Sequence, residues 1–135
     1  MREIRRILRP GGGLGLIWNR RDDSVGWSRQ LTGIMEPFRG RTPATRDRRW
    51  RSAFASRRSG FTPLHHRVFR HAQHGPPALF VDRVLSVSMI ANLPAPRRRA
   101  VAAKVRRLLA TDPDTRGRER IVLPYRTEVY WCYRR

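Results

Sequence analysis

The chain has 135 residues and carries 30 Lys and Arg against 10 Asp and Glu, a formal charge of +20. A hydrophobic content of 39% separates it from a disordered basic tail, and the length suits one domain and excludes two independent ones. No run approaches the roughly 18 apolar residues of a membrane span. Residues Met1 to Pro10 have no apolar leader core. Cys132 has no second cysteine to pair with, which fits a reducing cytoplasm.

Lys104 is the only lysine, which leaves 29 arginines. They are spread along the whole chain and form no single stripe. The densest runs are Arg46 to Arg51, Arg97 to Arg99 and Arg106-Arg107, and none sits in a helix-turn-helix, zinc-finger or RNA-recognition pattern. Such uniform use of Arg for Lys fits a GC-rich coding sequence better than a built binding face. The charge by itself supports only a basic, non-catalytic protein that holds nucleic acid or another anion non-specifically.

The spacing of Ile4, Ile7 and Leu8 predicts a helix over 2–8, stopped by Pro10 and Gly11 to Gly13. Leu14 to Asn19 reads as a buried strand, and Arg20 to Asp23 as the polar turn after it. Asp23 or Ser24 is expected to cap a helix over about 25–36, with Trp27, Leu31, Ile34 and Met35 inward. Pro37 stops it. After a polar loop over 39–46, Asp47 is expected to cap a short helix carrying Trp50, Ala53 and Phe54. Phe61 to Arg70 reads as a strand, with Leu64, His66 and Val68 on one face and His65, Arg67 and Phe69 on the other.

Gly75-Pro76-Pro77 opens a helix through about Met89, and Pro94 and Pro96 separate it from an amphipathic helix around Val101, Val105, Leu108 and Leu109. The outer face of that helix is read as a solvated arginine face and not as a membrane-surface one. Asp112 to Gly117 is turn-rich. Ile121 to Tyr133 alternates, with Ile121, Leu123, Tyr125, Val129, Trp131 and Tyr133 sharing one face, and Pro124 marks a bulge or the strand's start. On the other face, Cys132 reads as a small buried thiol. The order helix–strand–helices–strand–helices–strand is the closing half of an α/β sheet.

Glu3-Ile-Arg-Arg-Ile-Leu-Arg-Pro-Gly-Gly12, followed by Leu14-Gly-Leu-Ile-Trp-Asn19, resembles the class I S-adenosylmethionine-dependent methyltransferases. In that family a helix ending in L-(R/K)-P-G-G leads into the fifth strand of a seven-stranded sheet. Val81 to Ser86 and Leu123 to Trp131 resemble the tail of its small-molecule, type 11-like branch. The resemblance implies a single partial domain over 1–135: the C-terminal half of a Rossmann-like methyltransferase sheet, about three strands with helices packed on them. It places the Leu14–Asn19 strand beside the last strand, and the last strand in the middle.

The resemblance also implies S-adenosylmethionine as cofactor and a small-molecule methyl acceptor. Yet the family's glycine-rich loop after the first strand, and the acidic residue after the second, have no counterpart in the 135 residues. Gly11, Gly12, Gly13 and Gly15 miss the spacing and follow a helix, whereas a nucleotide loop follows a strand. Catalysis by these residues alone is therefore not expected. The Leu14–Asn19 edge is expected to recruit a partner chain or a second copy, since it lacks a neighbour on one side.

Methyl transfer displaces in line from an activated sulfonium, so the protein mainly supplies alignment, and no catalytic triad is required. Ligands of open α/β sheets sit beyond the carboxyl ends of strands. The resemblance makes Trp18, Asn19 and Arg20 acceptor-side candidates, with Trp27 as a wall and Arg83 as a clamp for a carboxylate. The competing reading puts Trp18 and Trp27 in the core, leaves Arg20 solvated, and pairs Arg83 with Asp82 or a neighbouring helix. His65, His66, His71 and His74 do not form a metal set, because His65 and His66 point to opposite faces of a strand and no carboxylate or second cysteine completes them.

Overall fold

The computed structural model describes residues 2–40, 48–56 and 59–135. Helix α1 is Arg2–Ile7, strand β1 is Gly13–Arg21 and helix α2 is Gly26–Met35, followed by a 3₁₀ turn over Glu36–Phe38. A second 3₁₀ turn, Arg49–Arg51, runs into α3, Ser52–Ala55. Strand β2 is His65–Gly75, α4 is Pro77–Leu85, α5 is Ser88–Ala91, α6 is Ala95–Thr111 and β3 is Ile121–Tyr133. The protein is a mixed α/β structure whose sheet has the order β1-β3-β2.

The last strand is thus in the middle, as expected, and it runs against both neighbours. At one end of β1 the Gly11 N–H donates to the Arg134 carbonyl at 2.9 Å, and at the other the Asp22 N–H donates to that of Pro124 at 2.9 Å. Along β2 the rings of His65, His66 and His71 stack in reversed order on Trp131, Tyr130 and Tyr125. Pro124 lies inside β3, so it does not mark the strand's start.

The chain forms two compact units, one of Met1–Arg20, Pro43–Arg70 and Arg126–Arg135, the other of Arg21–Thr42 and His71–Tyr125. In the second unit, Trp27, Leu31 and Met35 of α2, Phe80, Val81 and Val84 of α4, and Val101, Val105 and Leu109 of α6 bury against Ile121, Leu123 and Tyr125. This follows the helical spacing of the apolar residues, while Arg97, Arg98, Arg99, Lys104, Arg106 and Arg107 of α6 stay exposed. In the first unit, Phe54, Phe61 and Cys132 are the buried centre, with Ile4, Leu8, Leu14, Leu16, Trp50 and Leu64 packed around them.

Several expectations are corrected. Strand β1 is not buried: Leu14, Leu16 and Trp18 are half-buried, but Ile17 is 68% exposed, because β1 is an edge strand with one face covered. Ile7 is exposed as well, although Ile4 and Leu8 pack inward. The second strand begins at His65, not Phe61. Phe61 makes only an isolated bridge to Arg134, since Pro63 has no N–H for a ladder, and the pairing of His71 with Tyr125 carries the strand on to Gly75.

Neither Asp23 nor Ser24 caps α2. Its N-cap is Val25, while Asp22 accepts from the Ser24 N–H and hydroxyl, and Asp23 accepts from Thr32 Oγ1 at 2.9 Å. The expected cap Asp47 lies outside the described residues. The helix expected through Met89 breaks at Ser86 and resumes as α5. On β3 the buried positions change parity, from Ile121, Leu123 and Tyr125 to Glu128, Tyr130 and Cys132. Val129 and Trp131 are half-buried and Tyr133 is exposed. Period-two alternation assigns side chains to faces, but the elements that cover the strand differ along its length.

Candidate functional site

In the first unit the even positions of β1 and β3 meet. Trp18 lies edge-on to Tyr130 with ring centroids 5.6 Å apart, and Trp50 completes the group at 4.8 Å from Trp18 and 5.0 Å from Tyr130. Beneath the rings Glu128 is 8% exposed. It receives the Arg20 guanidinium at 3.1 Å on Oε1 and the Tyr130 hydroxyl at 2.5 Å on Oε2. Arg48 and His66 approach its oxygens at 3.8 Å.

Burial pushes the Glu128 carboxyl up, but the Tyr130 hydroxyl, Arg20, Arg48 and His66 outweigh it and hold the group below the usual carboxylate range. Tyr130 is pushed up by its own burial and then by Glu128, so it keeps its proton and hydrogen-bonds through it to the carboxylate. Arg51 in turn donates to the Tyr130 oxygen and lies 4.5 Å from its ring centroid, while His66 stacks on the same ring at 4.1 Å. The result is a relay Arg51–Tyr130–Glu128–Arg20 in which one carboxylate balances several cations.

In the second unit Tyr125 is the pivot. Arg83 Nε donates to its hydroxyl at 2.6 Å and the guanidinium lies 5.3 Å from the ring centroid. The Tyr125 hydroxyl faces Gln73 Oε1 at 3.5 Å, and His71 stacks on its ring at 5.2 Å. The β1–β3 register sets Arg21 across from Tyr125. Arg21 touches Met35 Sδ at 3.7 Å, and its Nε is buried without a hydrogen-bond partner among the described residues. Burial, with Arg83 adding repulsion, outweighs Tyr125 and Asp23 and lowers the Arg21 pKa from its ordinary value. Two guanidiniums therefore stand near one phenol at the carboxyl end of β1, an arrangement suited to a carboxylate or phosphate.

The structure gives each expected site residue a definite setting. Trp18 and Arg20 join the Glu128–Tyr130 group, and Asn19 Oδ1 accepts from Thr127 Oγ1 at 3.2 Å. Trp27 is 2% exposed and edge-on to Phe80 at 6.0 Å. Arg83 binds Tyr125, not Asp82 or a neighbouring helix. Sequence reading missed Glu128, Tyr130, Arg21 and Tyr125. The signal available was Glu128 itself, the single acid in an aromatic last strand. Cys132 is fully buried, and that burial pushes its thiol up.

The glycines after α1 do not fit a nucleotide cofactor. Gly11, at φ +76°, terminates the helix. Its N–H is spent on the Arg134 carbonyl and that of Gly12 on the Arg9 carbonyl at 2.8 Å, so neither is left to cradle a ligand.

No family model matches the chain. It is 36% identical over 129 residues to an uncharacterized methyltransferase of Mycobacterium tuberculosis, covering 93% of this chain and 48% of that protein. It is 30% identical over 130 residues to an uncharacterized methyltransferase-like protein of Schizosaccharomyces pombe, covering 96% of this chain and 50% of the relative. A second protein of that yeast, named an uncharacterized methyltransferase, is 28% identical over 130 residues. The chain spans about half the length of the relatives it matches. This similarity, extended over nearly all of the chain, supports a methyltransferase family for it.

Proposed function

We propose that the chain is a methyltransferase by descent, of the class I S-adenosylmethionine-dependent type and its small-molecule branch, and that these 135 residues alone do not hold the cofactor. The similarity to methyltransferases along nearly the whole chain carries the reading, and the central position of β3 supports it. The acceptor-side candidates are Trp18, Asn19 and Arg20 in the first unit and Trp27 and Arg83 in the second, and we add Arg21 for its place across from Tyr125. A buried, solitary Cys132 fits a reducing cytoplasm. Among the described residues no helix is long and apolar enough to cross a membrane.

Titration calorimetry of the chain with S-adenosylmethionine is expected to show no saturable heat. Micromolar binding would sink the claim that the cofactor half is required. An active protein then needs strands supplied at the free edge of β1, from an attached segment or a partner chain. Ile17, exposed on that edge, marks the hazard. Ile17→Lys should reduce concentration-dependent association in sedimentation velocity, because a lysine on an edge strand opposes strand pairing. An unchanged sedimentation profile from a wild type that does associate would place the association surface elsewhere.

A further inference from the structure

The first unit contains a cavity of about 440 Å³ that the methyltransferase reading does not use. Its principal walls are Arg51, Phe54, Phe61, His66, Tyr130 and Arg135. No residue of β1 lines it, so it does not depend on how that edge is completed. Two features define its chemistry. The lining rings form two pairs: Phe54 meets Phe61 at 5.9 Å and 66°, and His66 lies flat on Tyr130 at 4.1 Å. The side chains of the lining include two guanidiniums and an imidazole and, among the described residues, no carboxylate.

Among the described residues Glu128 approaches this wall, 3.8 Å from His66, and it is already engaged by Arg20 and the Tyr130 hydroxyl. Arg51 donates to that neutral hydroxyl and reaches the carboxylate only through it. Volumes of this size suit a small organic ligand, and such sites combine apolar walls with a few oriented polar groups. We propose that this cavity is a binding site for a small planar aromatic carboxylate, with the ring against Phe54, Phe61 and His66 and the carboxylate toward Arg51 and Arg135. The site stands independently of the methyltransferase reading.

The test uses 2-naphthoate as probe, with 2-naphthamide as its uncharged isostere, by calorimetry and amide shift mapping on the 135-residue chain. Saturable naphthoate binding is expected at about 1 mM or below, from the affinity typical of ligands of this size. Shifts should centre on Arg51–Ala55, Phe61–His66 and Tyr130. Naphthamide should bind at least about tenfold more weakly, the loss expected when a charge-assisted hydrogen bond is replaced by a neutral one. Ala55→Trp, at an exposed position of the wall, should fill the cavity and abolish binding, and Arg135→Gln should weaken naphthoate but not naphthamide. Equal binding of the two probes, retention of binding in a folded Ala55→Trp variant, or no saturable binding would each overturn the proposal.

Discussion

Replacing Phe80 with alanine is expected to lower the unfolding free energy by about 3–5 kcal/mol, the cost of emptying a closed aromatic site. Phe80 is fully buried and sits edge-on to Trp27, with Val81 and Val84 of its own helix on the same core. Its cavity cannot collapse easily, because Leu31, Val105 and Leu123 around it are also fully buried, at 1% exposure or less. A small domain has only about 5–15 kcal/mol in total, so the variant should melt well below the wild type. Urea unfolding followed by far-ultraviolet circular dichroism measures the difference. A loss under about 1 kcal/mol, the size of an ordinary surface substitution, would mean that α4 is not seated on this core.

The second large effect is electrostatic. Glu128→Gln keeps the side chain's shape but removes the charge that Arg20 and Tyr130 engage, and it is expected to cost about 1.5–3 kcal/mol at neutral pH, the worth of hydrogen bonds to a charged group. Its pH signature separates this from simple loss of packing. The folded pKa of Glu128 lies below the unfolded one, so its contribution is present above the unfolded value of about 4.3 and is lost as pH falls through the folded value. The gap between wild type and Glu128→Gln should therefore be widest near pH 7 and close progressively in acid. A gap that stays constant down to the lowest pH at which both fold would show that the charge on Glu128 contributes nothing.

The same two residues show what could be read in advance. Phe80 was legible because Gly75-Pro76-Pro77 announces a helix start and the apolar residues after it recur at helical spacing. Glu128 was not, because strand alternation placed it on the face opposite the one read as apolar. It is buried because Trp18, Trp50 and Tyr130 close over that face, and Trp50 comes from a segment some eighty residues away in sequence. Arg83 was recognised as a group that binds something, yet its partner Tyr125 was assigned only to a core. A phenol has a polar end that periodicity does not register.

The sequence by itself determined the element types and the strand order, because helix stops, proline positions and apolar periods are local properties, and the Arg9-Pro10-Gly11-Gly12 turn into Leu14–Asn19 ties the order to a known sheet. It also placed the four glycines after a helix and before a strand, against the order of a nucleotide loop, and the N–H groups of Gly11 and Gly12 are spent on backbone carbonyls. Only the tertiary structure decided which face of each strand is buried, which arginines are desolvated, and that Arg51, His66 and Tyr130 enclose a basic aromatic cavity. Those outcomes depend on covering layers contributed by distant segments, and burial, unlike helix or strand formation, is not encoded in any local stretch of the chain.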